Sequence, residues 1–312
     1  MSEPKVKKRK ALIAVLLSLV MPGLGHIYCG RIAKGIIAIF IIYGLIPAIF
    51  MGILEIHFSI IWLIIWMFTS LILGLVIIVD SGYIAKCRSE NYVLKDYNKW
   101  YIYLMLYIIS EIFCDQISQS FKANFMEAFI TPSISNYPTL VPGDRFIGNK
   151  VAYKTEDPQR GDIVVFINPS NRRENFVKRV IAVAGDTTEM KDNQVYVNSQ
   201  QLQQQKLPQS TLDNIRITYP YGRNVEGDVL YEFNGSAKYK IFLSKLSDSR
   251  IIRDFATIIV PEHHCFVLGD NRDASIDSRN FGAIPLATIK GRADWLYWPG
   301  KDWSRFGRLD AE

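Results

Sequence analysis

Hydrophobic positions are spread very unevenly along the 312-residue chain. Four nearly continuous apolar segments, 11–28, 36–54, 58–79 and 101–117, fill most of the first 117 residues. Each approaches the roughly 20 residues that cross a bilayer as a helix. The second and third are unbroken, whereas Pro22, Gly23 and Gly25 interrupt the first, and Glu111 and Asp115 sit toward the far end of the fourth. Phe121, Phe125 and Phe129 then recur four apart, with Met126 and Ile130 alongside. That apolar stripe predicts a short helix or irregular stretch at a lipid surface, or equally a piece of core. From residue 144 the pattern changes to short runs rich in Val, Ile, Tyr and Phe between turn residues: 144–153, 162–168, 175–184, 193–197, 229–233, 238–243, 256–260 and 264–268. The predicted organisation is a multi-span α-helical membrane anchor over 1–117 followed by an all-β domain over 118–312. The Gln-rich stretch 200–206 and the polar run to residue 255 read as an insertion or subdomain rather than core.

Charge sharpens this division. Residues 11–80 carry four charged side chains (Arg31, Lys34, Glu55, Asp80), and the other 242 residues hold the remaining 62, a distribution that excludes an ordinary cytosolic enzyme. A net charge of +6 would suit nucleic acid, but Lys5, Lys7, Lys8, Arg9 and Lys10 directly precede an apolar stretch and mark a cytoplasmic membrane flank. The partner expected is therefore a lipid bilayer and not a nucleic acid. Arg31 and Lys34 precede the second segment, and Lys86, Arg88, Lys95 and Lys99 precede the fourth, while the loop 55–57 has no basic residue. Basic loops face the cytoplasm, so spans at about 36–54, 58–79 and 101–117 place everything after about residue 118 on the extracytoplasmic side. Segment 11–28 then enters and leaves on one side as a re-entrant or interfacial helix pair broken at Pro22-Gly23; four full spans with a translocated basic cluster is the alternative. The N-terminal stretch lacks a small-residue cleavage site and reads as a retained anchor.

Within the β domain, metal chemistry is not expected. The histidines there are His263 and His264, and neighbours on a strand point to opposite faces. Cys265 stands alone in the polar half, which allows no disulfide framework. A Ser-His-Asp triad could use either histidine, but no GxSxG turn is present. The segment TPSISNYPTLVPGD, residues 131–144, offers a different chemistry, with Ser133 and Ser135 two apart in a stretch stiffened by Pro132 and Pro138. On extended backbone both hydroxyls face one way. A serine nucleophile needs a base, and a neutral lysine amine can supply one. Lys178, flanked by Val177 and Val180, is the candidate, with Arg179 pointing to the opposite face. Taken alone, such residues are more often solvated surface and loop hydrogen bonders.

Four blocks in order change that balance: PSISNYPTLVPGD at 132–144, RGDIVVF at 160–166, FVKRVIAVAGD at 176–186 and LGDNRDASIDSRNFGAIP at 268–285. Together they resemble bacterial type I signal peptidases, membrane-bound serine proteases that use a Ser/Lys dyad. The resemblance covers roughly residues 118–312 apart from the 200–255 segment. It implies Ser135 as nucleophile and Lys178 as general base, with the Ser133 hydroxyl and the Ser135 backbone N–H holding the oxyanion. It also implies that Ser275 orients the amine and that Asp277 and Arg279 form a supporting ion pair. The activity implied is removal of N-terminal signal peptides from exported preproteins through an acyl-enzyme, cutting after small residues in an A-x-A-like pattern, with no cofactor and no metal. The partners implied are signal peptides emerging from the export machinery. The location implied is the bacterial cytoplasmic (inner) membrane, with the catalytic domain on the periplasmic side. Ile134 stands where the family commonly has Gly, and Asn136 where it nearly always has Met. Those departures keep open a relative that binds exported chains without cutting them, alongside a Ser/Lys protease with another target. For the dyad to work, burial must lower the lysine pKa from about 10.4 by about 2–3 units, worth roughly 3–4 kcal/mol.

Overall fold

A computed structural model describes residues 9–56, 59–87, 93, 96–192, 194–208, 227–244, 254–300 and 302–309. The chain separates into two compact units, 1–125 and 126–312.

The first unit is helical. α1 (Ala11–Val20) ends where Pro22 and Gly23 interrupt the helix, and α2 (Leu24–Tyr28) follows. At ten residues α1 is about 15 Å long, half the thickness of a bilayer's hydrocarbon core. α3 (Ile32–Phe40) continues through a single π-turn, Ile41–Leu45, into α4 (Ile46–Ile56), and α5 (Ile60–Cys87) and α6 (Trp100–Asn124) complete the unit. Gly25 lets α2 lie against Ala14 and Ser18 of α1 and Ser81 of α5, because a Cβ there would collide with all three. Among the described residues two helical stretches are long and apolar enough to cross a membrane, Ile32–Leu54 and Ile61–Cys87. They cover the second and third expected segments. The fourth lies within α6, whose tyrosines and acidic residues keep it out of that class.

The second unit is built of strands: β1 (Met126–Ile130), β2 (Arg145–Asn149), β3 (Ile163–Ile167), β4 (Asn175–Val183), β5 (Thr187–Lys191), β6 (Gln194–Val197), β7 (Gln200–Gln201), β8 (Gln203–Lys206), β9 (Gly227–Asn234), β10 (Ala237–Ser244), β11 (Phe255–Ile259), β12 (His264–Leu268), β13 (Ile284–Pro285), β14 (Ile289–Trp298) and β15 (Gly307–Arg308). The largest sheet runs β1-β2-β14-β3-β4-β12-β13, with β15 on β14; the others are β10-β9-β8 and β11-β5-β6-β7. Among the described residues these strands pair antiparallel throughout, and one isolated parallel bridge joins Phe242 of β10 to Asn271. β4 is central, flanked by β3 and β12, and its register sets Val164 beside Lys178 and Ile163 and Leu268 beside Arg179. A short helix, α7 (Ser278–Phe281), follows β12 and is capped by Asp277.

Three expectations are corrected here. The phenylalanine stripe is not one helical face. Phe121 belongs to α6 and stacks on Phe125, whereas Phe129 belongs to β1 and stacks on Phe146 in the β core. β14 lies inside the main sheet although no strand was expected there; Gly291 and three register shifts hide its alternation. Residues 227–244 are not peripheral: Tyr239 and Ile241 of β10 pack with Ile181, Ala182 and Phe266 in the main core. Of the rest of the expected insertion, 200–208 carry β7 and β8, with Leu202 in the same core, and 209–226 and 245–253 lie outside the described residues.

Candidate active site

Ser133 and Ser135 sit in a bend and turn rather than on extended backbone, with Tyr137 N–H donating to the Ile134 carbonyl at 3.0 Å. The turn still brings the hydroxyls together: Ser133 Oγ is 3.2 Å from Ser135 Oγ and 3.5 Å from Ser135 N. Lys178 reaches this turn from β4, and its Nζ donates to Ser135 Oγ at 2.7 Å. Both serines and the lysine line an open cleft of about 500 Å³, walled by Phe129, Ile130, Phe176, Val177 and Ile276.

The amine is 3% exposed and lies 5.4 Å from the Phe176 ring centroid. Burial pushes its pKa down to about 8; the Arg279 charge adds to the drop, while Asp277 and Asp270 oppose it. Among the described residues no carboxylate pairs with Lys178, so at neutral pH its neutral fraction is far larger than that of a solvated lysine.

Asp277 and Arg279 form a fully buried two-pronged pair, with Nε–Oδ1 and Nη2–Oδ2 both 2.8 Å. Burial alone would raise the Asp277 pKa, but the Arg279 guanidinium holds it below the ordinary carboxylate value. The pair also takes hold of the backbone, since Gly269 N–H donates to Asp277 at 3.0 Å and Arg279 donates to the Ser275 carbonyl at 3.3 Å. Gly269 must be Gly, because a Cβ there would strike Ser275 Oγ and the Ser135 carbonyl. Ser275 is thus beside the turn that carries Ser135 and fully buried, but among the described residues its hydroxyl makes no hydrogen bond, so the expected bond to the Lys178 amine is not formed.

Several supporting residues were not expected. Arg179 does not face solvent: it is buried against Asp270, with Nε–Oδ1 and Nη2–Oδ2 both 2.7 Å, and donates to the Gly161 carbonyl at 2.7 Å. Thr139 completes that knot by donating to Asp270 at 2.5 Å, tying the nucleophile block to the fourth block. Asn271 holds the turn itself, through its N–H to the Ser135 carbonyl at 3.1 Å and Nδ2 to the Ile134 carbonyl at 3.2 Å. Asn136 binds the Val177 carbonyl at 2.6 Å. Arg272 pairs with Glu232 of β9, which also accepts from Tyr239 at 2.9 Å, while Tyr239 lies under the Arg179 guanidinium. Asp270, Asn271 and Arg272 belong to the fourth block, whose charged residues are internal rather than solvated.

This arrangement provides a hydroxyl, a buried amine in contact with it and a second hydroxyl 3.2 Å away, groups that acyl transfer can use. The signal peptidase, peptidase S26 family model matches residues 104–298. The chain is 34% identical over 203 residues to the signal peptidase I of Aquifex aeolicus, covering 56% of this chain and 77% of that protein. It is 33% identical over 182 residues to the signal peptidase I of Bacillus caldolyticus, covering 56% and 81%. A crystal structure of a signal peptidase I from Enterococcus faecalis matches 44% of this chain and 97% of that one at 27% identity, with a TM-score of 0.25, too low for a structural argument.

Proposed function

The chain belongs to the signal peptidase family, serine peptidases that remove signal peptides, and from that premise we propose that it cuts exported preproteins with Ser135 as nucleophile and Lys178 as general base. The observation that carries this reading is the 2.7 Å contact between Ser135 Oγ and a buried Lys178 amine. In the acylation step the Ser135 hydroxyl proton passes to the neutral Nζ while Oγ bonds to the scissile carbonyl carbon. The resulting oxyanion is met by the Ser133 hydroxyl and the Ser135 N–H. The ammonium then returns its proton to the departing amine, leaving an acyl-enzyme. Lys178 next takes a proton from water, whose oxygen attacks the ester, and gives that proton back to Ser135. One oxyanion donor of this kind contributes about 3 kcal/mol.

The cleft adjoins β1, the edge strand of the main sheet, so an extended preprotein segment can add beside it with alternate side chains directed inward. The family resemblance implies small residues at the first and third positions before the cut, the A-x-A-like pattern. Membrane anchoring is supported by Ile32–Leu54 and Ile61–Cys87 and by exposed apolar α5 side chains such as Ile61, Phe68, Leu71 and Val79, which a bilayer would cover; the bacterial inner membrane is the location the family resemblance implies. The basic flanks read above favour an extracytoplasmic catalytic domain.

The full chain in lipid, incubated with a preprotein carrying an Ala-x-Ala site, is expected to release the mature protein. Ser135→Ala and Lys178→Ala should each lower kcat by a factor on the order of 10⁴ or more. Cleavage retained by either variant would overturn the dyad, and none by the intact chain would favour the non-cutting reading.

A further inference from the structure

Resting on the dyad reading above, the geometry points to Asn136 as a positioning residue: its carboxamide ties the turn carrying Ser135 directly to the strand carrying Lys178 and thereby sets the distance between hydroxyl and amine. Asn136 immediately follows the nucleophile in sequence, and the carbonyl it grips, Val177 O at 2.6 Å, immediately precedes the lysine. The bond therefore links the backbone neighbours of both reacting groups. The side chain is 3% exposed, so water competes little for that carbonyl, and a buried hydrogen bond is costly to leave unmade.

The other ties on the turn point elsewhere. Asn271 holds the Ile134 and Ser135 carbonyls from the fourth block, and Thr139 bonds to Asp270 of that same block. Neither reaches residues 177 or 178. A longer tie runs from Arg179 Nη2 of β4 to Thr139 Oγ1 at 3.4 Å, four residues past Ser135, whereas the Asn136 bond joins turn and strand immediately beside the Lys178–Ser135 contact. A methionine or leucine here could fill the space but has no N–H to offer Val177 O. Nδ2 must face the Val177 carbonyl because only the NH₂ end of the amide can donate, which leaves Oδ1 buried without a partner. An acceptor stranded in this way is the kind of local cost that positions accept when they serve a site.

The test is a single-turnover cleavage rate with the full-length protein in lipid and enzyme in saturating excess over an Ala-x-Ala preprotein, a rate constant that does not depend on how much of the variant folds. Asn136→Leu, nearly the same volume without the donor, is expected to slow this step about 10- to 100-fold, the scale of a small misplacement of reacting groups, with KM changed less than twofold. Asn136→Gln, which keeps a donor on a longer arm, is expected to recover part of the loss. The pH inflection of the rate should stay where the wild type has it, because a positioning bond alters geometry and not the burial of the amine. An unchanged rate in Asn136→Leu overturns the inference, as does a loss that disappears at high pH, which would mean that Asn136 shields Lys178 from water. Absence of cleavage by the wild type, or activity surviving in Ser135→Ala, would instead overturn the dyad itself.

Discussion

Two populations of buried charge lie side by side in the β unit, and they obey opposite rules. Arg179–Asp270, Arg272–Glu232 and Arg279–Asp277 are each buried on both sides and each joined by two-pronged hydrogen bonds. Lys178 is equally buried, but it is matched to a neutral hydroxyl instead of a carboxylate. Burial of an ion without a partner costs several kcal/mol, so the paired arginines keep their charge while the lone lysine tends to lose it. The pairs stiffen the walls, and the unpaired amine is the group proposed above as the base. Adjacent positions on one strand, Lys178 and Arg179, show both rules, because successive side chains leave the sheet on opposite faces.

Breaking a pair should produce the largest stability effect. Arg279→Ala strands the Asp277 carboxylate in the core and is expected to destabilise the β unit by about 3–5 kcal/mol, read as a lower denaturant midpoint. It should also move the pH–rate inflection to higher pH, because Arg279 lowers the Lys178 pKa and Asp277, left unopposed, raises it. An inflection that stayed in place would separate the pair from the dyad.

Removing the lone charge should have the opposite sign. The Lys178 pKa is about 8 in the fold and about 10.4 when unfolded, so the unfolded chain holds more protons between those values and stability rises with pH across that window. Lys178→Met is expected to abolish cleavage, to raise stability at pH 7 by up to about 3 kcal/mol and to flatten the alkaline rise. Destabilisation at pH 7 would show that the amine is not held against its own burial. For wild type, the cleavage rate should climb with pH and level off above about 8.

The smallest effect belongs to a pair in water. Lys191 and Glu189 meet at 2.9 Å with the lysine 63% exposed, and Lys191→Ala should change stability by less than about 0.5 kcal/mol. A loss comparable to that of Arg279→Ala would erase the distinction between buried and solvated pairs.

Much of the fold could be read locally. Strands β2, β3, β4, β6, β9, β10, β11 and β12 fall within or close to the expected runs, since each alternates or is continuously apolar between turn residues. β1 and β14 escaped notice because their residues fit other patterns: Phe129 completed a helical spacing with Phe121 and Phe125, and Gly291 and Arg292 interrupt β14. The break after α1 was legible from Pro22 and Gly23, residues that cannot propagate a helix readily. Hydroxyl adjacency at Ser133 and Ser135 was anticipated from extended backbone, although the structure achieves it with a turn.

By itself the amino-acid order determined the split between an apolar helical front and a β-rich remainder, together with the candidate reacting side chains, because hydrophobic periodicity and reactive-group chemistry are properties of short stretches. Tertiary structure alone decided which charges are paired. Arg179 and Arg272 look like surface residues until β9, β10 and the fourth block close over them, and Asn136 gains its role only when Val177 arrives from 41 residues further along. Burial and partnership are set by what the rest of the chain brings alongside, and it is burial that pushes the amine of one lysine among many toward its neutral form.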